Sequence, residues 1–464
     1  MKLSNLLEGL PDIEVSDICL DSRKAAPGAL FFAVTGAVRK GSEFIPDAVK
    51  NGAVVVIGDE DLHDVGVPYF KVNDIRKTIS QAAGRFFHNK PKYIVAVTGT
   101  NGKTSIASFC AQMFKKLGLK SATIGTLGVV SDDYSFDFGV TTPDAIEFHK
   151  TLQKLAENGV EAVAYEASSH GLDQHRAEDV DLKAAGFTNL TQDHLDYHKN
   201  MEDYLLAKKK LFTEVLPQNG IAIINADSDA YEKFADSGRK TWSYGKNGKE
   251  LKLISAEGRN IAIEVFGKPF KYETMLVGDF QIMNSLCAMG MIIACGFDKE
   301  KVTEIMPSLT PPPGRLDFAG KMSNGAEIYV DYAHTPDALE KAIKALRPYA
   351  KNNLAVLFGC GGDRDKTKRP KMGKAAEDFA DIVYVTDDNP RTEDAQTIRR
   401  EVLAGCPNKG IDAGDRKTAV KTAMSKLKSG DILLLAGKGH EDYQIIGTTK
   451  YHLDDKEEVR KNLR

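Results

Sequence analysis

The residues best suited to chemistry lie in one glycine-containing loop: Thr98, Gly99, Thr100, Asn101, Gly102, Lys103, Thr104 and Ser105. An apolar run at 93–97 precedes this loop and a helical apolar pattern follows it, which is the setting of a phosphate-binding loop. The glycines let backbone N–H groups converge on phosphate oxygens, and the helix N-terminus adds its dipole. Lys103 supplies a positive charge, and the Thr104 hydroxyl is a potential Mg²⁺ ligand. An ordinary strand-to-helix turn is the alternative, but strand, helix and Thr104 together favour a nucleotide site.

Acidic and histidine side chains follow two further predicted strands, at 162–165 and 185–189. The first strand leads into Glu166 and the second into a polar segment that contains His194. Because the carboxyl ends of parallel strands form the ligand-binding edge of an α/β sheet, both residues are candidates for Mg²⁺ contacts beside Thr104. Hydrogen bonds that merely fix the two loops are an equally good interpretation of either residue alone.

Lys208 lies in a predicted helix, residues 201–212, at a position where an apolar side chain is expected. Turning about 100° per residue places it within the apolar stripe, whereas Lys210 points away. A buried ammonium group is costly unless it is paired or chemically changed. The alternative is a lysine whose stem covers the core while its amine reaches water.

Charged residues also follow two predicted strands of the last third of the chain. Asp363 and Arg364 follow one strand, and the segment Asp387-Asp388-Asn389-Pro390-Arg391 follows the next. Guanidinium and carboxylate groups at neighbouring strand ends suit a zwitterionic ligand. The D-N-P-R segment taken alone is better explained as a helix N-cap turn before Glu393.

Short apolar strands alternate with helical patterns along the chain, which predicts an α/β protein with mostly parallel sheets. Breaks at 88–92 and 311–314 suggest three domains, 1–88, 89–313 and 314–464. Residues 251–277 favour an antiparallel patch attached to the central sheet. The other strands are predicted at 29–34, 53–57, 93–97, 221–225, 328–331, 354–358, 382–386 and 432–436.

Composition excludes several classes of protein. With 464 residues, roughly two to four domains are expected. A formal net charge of -3 provides no electrostatic reason to expect a nucleic acid or an anionic membrane as partner. The N-terminus has no signal-peptide pattern, and no apolar stretch approaches the roughly 20 residues of a membrane helix. Six scattered cysteines without a CxxC pair suit a reducing compartment, so we expect a cytoplasmic protein.

Several of these segments together resemble the Mur ligases. T-G-T-N-G-K-T-S is the nucleotide motif of that family and of the related folylpolyglutamate synthases. The chain also has Y-E-A-S-S-H-G-L, T-N-L-x-x-D-H-L-D-Y-H, an A-K pair at Lys208, D-Y-A-H-T-P, D-N-P-R and A-G-K-G-H-E, in this order between Asp21 and Gln444. The resemblance implies a small N-terminal domain, a central domain similar to P-loop ATPases and a Rossmann-like C-terminal domain.

The resemblance implies an ATP site, Mg²⁺ and a carbamylated Lys208. Nucleotide contacts carry over to the phosphate loop (99–105), Asn284, Arg315, Asp331 and His334. Metal contacts carry over to Thr104, Glu166, His194 and the carbamate of Lys208. The residues expected to take part in catalysis are Lys103, His194, Lys208 and Arg315.

The same resemblance implies UDP-N-acetylmuramoyl-L-alanyl-D-glutamate as one substrate. Ser22 corresponds to a UDP contact, although the loop at 36–41 departs from the family pattern. The sugar-peptide contacts carry over to Thr141, Thr142, Ser168, Gln174 and Arg176. The amino-acid contacts carry over to Arg364, Asp388, Asn389, Pro390, Arg391, Gly437 and Glu441. D-N-P-R is typical of members that add meso-diaminopimelate, whose extra carboxylate would bind Arg391. We expect a monomer.

Four other interpretations remain open. A lysine-adding member of the family is the nearest, and a folylpolyglutamate synthase shares the phosphate loop but not the features around Ser22 and Arg391. A non-catalytic nucleotide switch would need neither Lys208 nor Arg391. The glycines at 359–362 suggest a dinucleotide site only weakly, because the G-x-G-x-x-G spacing is missing.

Overall fold

The computed structural model describes residues 1–36, 39–195 and 197–463. These residues form two compact units, Met1–Ile254 with Ala262–Phe270 and Met283–Met306, and Ser255–Ile261 with Lys271–Ile282 and Pro307–Arg464. The predicted α/β class is confirmed. The domain boundaries at 88 and 313 stay predictions. Across the described part of the chain, we find no helix that combines the length and apolarity needed to span a membrane.

The N-terminal sheet is parallel and has the order β1-β2-β3-β4. Its apolar strands β2 and β3 are almost fully buried, as their composition predicts. The Asp74 side chain caps the third helix by accepting a hydrogen bond from the Lys77 N–H. The elements are β1 Asp17–Cys19, β2 Ala29–Ala33, β3 Ala53–Gly58 and β4 Tyr69–Lys71, with α1 Leu3–Leu6, α2 Ile45–Lys50 and α3 Ile75–Phe86.

The central sheet has the order β15-β14-β13-β12-β11-β10-β5-β9-β6-β7-β8. Its strands are β5 Tyr93–Thr98, β6 Ser121–Gly125, β7 Gly128–Ser131, β8 Ser135–Phe136, β9 Ala162–Glu166, β10 Leu182–Phe187, β11 Ile221–Asn225, β12 Lys240–Gly245, β13 Leu251–Glu257, β14 Asn260–Val265 and β15 Lys268–Glu273. Its helices are α4 Lys103–Lys116, α5 Ala145–Glu157, α6 Ser169–Asp173, α7 Met201–Lys210, α8 Tyr231–Ala235, α9 Asp279–Ala294 and α10 Lys299–Ile305.

Parallel pairing around β5 brings the predicted loops together. Strand β5 lies between β9 and β10 and pairs parallel with both, so the loops that follow these strands meet at one edge. The strand predicted to reach Asn189 ends at Phe187 instead. The next two residues bond the phosphate loop: Thr188 donates to the Asn101 carbonyl, and Asn189 accepts from the Asn101 N–H.

Strands β13, β14 and β15 are neighbours at one end of the central sheet and are joined by two-residue connections. Connections this short permit only antiparallel pairing, in agreement with the predicted patch. Strand β13 itself pairs parallel with β12, which attaches the patch to the rest of the sheet.

The C-terminal sheet has the order β16-β17-β21-β18-β19-β20, with β16 antiparallel and the other pairs parallel. The strands at 354–358, 382–386 and 432–436 have the predicted bounds. Each is an almost entirely apolar run, as expected for a strand buried on both faces. The elements are β16 Asp317–Lys321, β17 Glu327–Asp331, β18 Leu354–Phe358, β19 Ile382–Thr386, β20 Gly410–Gly414, β21 Ile432–Ala436 and the hairpin β22 Tyr443–Ile446 with β23 Thr449–His452; the helices are α11 Pro336–Leu346, α12 Lys368–Phe379, α13 Ala395–Leu403, α14 Arg416–Ser425 and α15 Asp455–Asn462.

Candidate functional site

The phosphate loop connects β5 to α4 and needs both of its glycines. Gly99 has φ 145° and Gly102, the N-cap of α4, has φ 92°, a region that favours glycine. A Cβ atom at Gly99 would overlap with Oγ1 of Thr188, and one at Gly102 would lie 2.6 Å from Oδ1 of Asn284. The loop is therefore closely packed, and Asn284 lies beside it as the nucleotide prediction requires.

Lys103 and Thr104 begin helix α4, and the side chains of both residues are hydrogen-bonded to the protein. The Lys103 amine donates 2.9 Å hydrogen bonds to the carbonyls of Gly99 and Thr100. The Thr104 hydroxyl donates to Oε2 of Glu166 at 3.1 Å. Two of the four predicted metal contacts, Thr104 and Glu166, are thus adjacent.

Glu166 ends strand β9 and is only 3% exposed. Its carboxylate also accepts hydrogen bonds from the backbone N–H and the hydroxyl of Thr126, at 2.9 and 3.1 Å. Sequence reasoning missed Thr126, which follows strand β6 without a recognisable motif. A buried carboxylate held by hydroxyl and N–H donors beside Thr104 offers the oxygen ligands that Mg²⁺ prefers.

Lys208 is 1% exposed, which confirms the burial predicted from the apolar stripe of α7. Its amine donates to the Gly99 carbonyl at 2.9 Å and lies 4.4 Å from the ring centroid of Tyr204. Burial, reinforced by the charge of Lys103, holds its pKa well below that of an ordinary lysine. Lys210 on the same helix is partly exposed and lies 3.4 Å from Asp173.

His194 is less enclosed than the other predicted metal contacts, since 45% of its side chain is exposed. Its ring centroid lies 4.9 Å from that of His170 and 6.2 Å from that of Tyr204. The Tyr204 hydroxyl in turn lies 3.2 Å from the Thr100 hydroxyl. His194 therefore lies on the side of α7 that faces the phosphate loop, while Asp196 of the same motif lies outside the described residues.

The predicted sugar-peptide residues come from three segments: Thr141 and Thr142 precede α5, Ser168 follows β9, and Gln174 and Arg176 follow α6. The hydroxyls of Thr142 and Ser168 are 2.9 Å apart, and Ser168 caps α6 by accepting from the Gly171 N–H. Arg176 donates to the Thr142 carbonyl at 3.0 Å and to Oε1 of Gln174. Thr141 bonds through its hydroxyl to Thr126.

A cavity of about 240 Å³ opens next to this group. Strand β2 and residues near it form the apolar part of the cavity wall. The polar part is formed by Arg76, Asp144, Gln174 and Arg176. Ser22 is buried in a short 3₁₀ turn and does not line the cavity, while residues 37 and 38 of the neighbouring loop lie outside the described residues. No sequence motif indicates Arg76, which helix α3 places in the wall of the cavity.

The D-N-P-R loop of the C-terminal unit is held against the hairpin β22–β23. Arg391 has φ 51°, and its N–H and carbonyl bond to the Ile445 carbonyl and the Gly447 N–H. Oδ1 of Asn389 accepts from the Ile445 N–H, and its amide donates to Glu441 at 3.1 Å. Such a backbone angle costs free energy in a residue other than glycine and is maintained here by these bonds.

The two arginines of the predicted amino-acid site both lie near the loop at 359–362. Nη1 of Arg391 donates to the Gly362 carbonyl at 2.8 Å. A Cβ atom at Gly361 would lie 2.9 Å from this nitrogen and 3.8 Å from Cγ of Arg364. Gly437 similarly approaches Asp388, with 3.7 Å between its notional Cβ and Oδ2. Pro390 lies between Asn389 and Arg391, so all seven predicted amino-acid contacts lie in one region.

Lys438 is the central residue that sequence reasoning missed in this region. Its side chain is fully buried, with Nζ 3.4 Å from Glu441 and 3.8 Å from Asp388, and it donates to the Tyr443 carbonyl. Burial raises the pKa of Asp388, and the charges of Lys438 and Arg416 oppose that rise. Lys438 therefore ties together the D-N-P-R loop, the turn at 437–441 and the hairpin.

The remaining predicted nucleotide contacts lie around Asp331 at the end of β17. Its carboxylate accepts from the N–H groups of Leu316 and Ala333 at 2.7 and 2.8 Å, and burial raises its pKa. The Arg315 guanidinium lies 5.3 Å from the ring centroid of Tyr332, and the His334 ring lies 4.8 Å from it. Arg315, Asp331 and His334 thus form one group.

Three family models match successive parts of the chain: the Mur ligase family, catalytic domain at residues 14–87, the Mur ligase middle domain at 97–292 and the Mur ligase, glutamate ligase domain at 314–439. The chain is 44% identical to the UDP-N-acetylmuramoyl-L-alanyl-D-glutamate--2,6-diaminopimelate ligase of Bradyrhizobium diazoefficiens, covering 96% of this chain and 94% of that protein. The chain belongs to the Mur ligase family. It is an ADP-forming, ATP-dependent amide ligase, as its family is.

Other comparisons agree with membership of the Mur ligases. The ligase of the same name from Agrobacterium fabrum is 44% identical, over 99% of this chain and 95% of that protein. A solved structure of a ligase of the same name has a TM-score of 0.77 at 32% identity, covering 100% of this chain and 98% of that one. A MurF ligase from Thermotoga maritima in complex with ADP matches at 21% identity with a TM-score of 0.60, covering 92% and 95%, which shows the shared fold alone.

Proposed function

We propose that this chain joins meso-diaminopimelate to UDP-N-acetylmuramoyl-L-alanyl-D-glutamate and converts ATP to ADP and phosphate in the same reaction. Full-length similarity to ligases of that name is the observation that carries the proposal. The D-N-P-R loop adds local support, because side-chain atoms of Arg364 and Arg391 both lie within 4 Å of the position that a Cβ atom at Gly361 would take. Two guanidinium groups in one region suit a ligand with two carboxylates.

The proposed reaction has two steps. A γ-carboxylate oxygen of the D-glutamate attacks the γ-phosphorus of ATP, and the bond to the bridging oxygen breaks to leave ADP and an acyl phosphate. The neutral amine of diaminopimelate then attacks the acyl carbon, phosphate departs, and the nitrogen loses a proton to give the amide. The chain contributes positioning and charge rather than a nucleophile of its own.

Lys103 and Arg315 are the proposed cationic groups for the phosphates. The phosphate loop would hold the β- and γ-phosphates through its N–H groups and the N-terminus of α4. Thr104 and Glu166 would hold Mg²⁺, with His194 as a further contact. When bound, Mg²⁺ supplies charge neutralisation at the transferred phosphoryl group.

Carbamylation of Lys208 is part of the proposal. The depressed pKa gives a neutral amine whose lone pair can attack CO₂, and loss of a proton then leaves an N-carboxylate of charge -1. The change would give Lys208 a negative charge, and the carbamate oxygens could ligate a metal beside the phosphate loop. Its charge would attract Lys103, whereas a protonated Lys208 would repel Lys103.

The deciding assay is phosphate release by the purified chain with ATP, Mg²⁺ and UDP-N-acetylmuramoyl-L-alanyl-D-glutamate. Turnover with meso-diaminopimelate but not with L-lysine is expected. Turnover with L-lysine alone would show a lysine-adding member, and turnover with neither would refute the proposed reaction. We further propose that the protein acts in the cytoplasm as a monomer; size-exclusion chromatography with light scattering tests the latter.

A further inference from the structure

Two arginines share one acceptor at the polar end of the 240 Å³ cavity. Oε1 of Gln174 accepts from Nη1 of Arg76 at 3.3 Å and from Nε and Nη2 of Arg176 at 3.2 and 2.7 Å. Arg76 comes from α3, and the other two residues follow α6. An amide oxygen carries no net charge, so it holds the two cations together without neutralising them.

The charge balance at this end of the cavity is positive. Asp144 is the acidic residue of the cavity wall, and its carboxylate already caps α5 by accepting from the Glu147 N–H. Burial and then the charge of Arg76 hold the pKa of Arg176 below its usual value. A bound anion would remove that repulsion.

The two arginines differ in how many donors are already used. Arg176 bonds the Thr142 carbonyl through Nη1 and Gln174 through its other two nitrogens. Arg76 makes its one hydrogen bond within the described residues through Nη1 to Gln174. Arg76 therefore retains N–H groups for a ligand, whereas Arg176 is occupied by the protein.

The rest of the cavity wall is apolar and includes Phe31, Phe32 and Phe44. An apolar chamber with a cationic end suits a ligand that has a flat ring at one end and an anionic group at the other. We propose that Arg76 is a substrate-binding residue that donates hydrogen bonds to the diphosphate of the UDP substrate. This inference rests on the proposed function for the identity of the ligand.

Titration of the full-length protein with UDP tests the inference. Arg76→Gln removes the charge and most donors, and UDP affinity is expected to fall roughly ten- to a hundredfold, the usual value of a hydrogen bond to a charged group. Arg76→Lys keeps the charge and should retain part of that affinity. Arg85→Gln is the matched control, because Arg85 is an exposed residue of the same helix that does not line the cavity.

The KM values separate binding from general damage. Arg76→Gln should raise KM for the UDP substrate and leave KM for ATP unchanged. Wild-type UDP affinity in Arg76→Gln, or equal losses for UDP and ATP, would overturn the inference. If the wild-type protein releases no phosphate, the proposed function fails, but the UDP titration still tests Arg76 because binding needs no turnover.

Discussion

The amine of Lys208 donates a 2.9 Å hydrogen bond to the carbonyl of Gly99, which joins helix α7 to the phosphate loop. This contact places a buried lysine of depressed pKa next to the residues expected to hold the triphosphate. The cost of burying an amine at this place is explained if the amine serves the reaction.

Lys208→Arg should abolish most activity, because a guanidinium stays charged and forms no carbamate. We expect kcat/KM for phosphate release to fall on the order of 100-fold, as for loss of a metal ligand. Lys210→Arg, on the same helix, should behave like the wild type. Wild-type activity of Lys208→Arg would contradict the carbamate. Labelling with ¹³C-bicarbonate and NMR detects the carbamate directly.

Glu166→Gln should weaken the binding of Mg²⁺ without unfolding the protein. The amide keeps the size of the side chain and an oxygen to accept from Thr126, but it loses the charge. The Mg²⁺ concentration for half-maximal activity should rise roughly tenfold or more. Glu161→Gln, in an exposed position just before β9, is the control. An unchanged Mg²⁺ titration would remove Glu166 from the metal site.

Arg391→Lys should impair use of diaminopimelate selectively. Lysine replaces a planar fork of donors by a point charge, so it binds a carboxylate less well and also loses the contact to the Gly362 carbonyl. We expect KM for diaminopimelate to rise roughly tenfold, with KM for ATP unchanged. Arg400→Lys, on the exposed side of α13, should have no effect. A parallel rise in all KM values would instead indicate a damaged fold.

His149 should make the protein sensitive to acid. Burial, with the nearby charge of Lys90, lowers its pKa to about 3, so the unfolded chain binds a proton that the folded chain does not between about pH 6.5 and 3. The free energy of unfolding therefore falls as the pH falls through this window, by about 1.4 kcal/mol per pH unit from this group.

Replacing His149 by Leu should reduce that loss. The melting temperature should fall less between pH 7 and pH 4 in the variant than in the wild type. His63→Leu, at an exposed position, is the control. If His149→Leu loses as much stability on acidification as the wild type, other groups cause the acid sensitivity.

The sequence by itself determined many of the apolar strands, the strand–loop–helix setting of Gly99 and Gly102, and the burial of Lys208. Each follows from residues close together along the chain: apolar runs such as 354–358, the spacing of Gly99 and Gly102, and the stripe on α7. Local steric and hydrophobic rules therefore suffice for these features. Family motifs additionally indicated most of the residues proposed to bind substrates.

Only the tertiary structure showed that Thr126, Lys438 and Arg76 contact the predicted site residues. Thr126 reaches Glu166 across 40 positions, and Arg76 reaches Gln174 across 98. Lys438 contacts the nearby Glu441 but also Asp388, which lies on a different strand end. Local patterns do not encode such distant pairings, because they arise when sheets pair and helices pack. The charge balance of the cavity and of the amino-acid site was therefore decided by the packing.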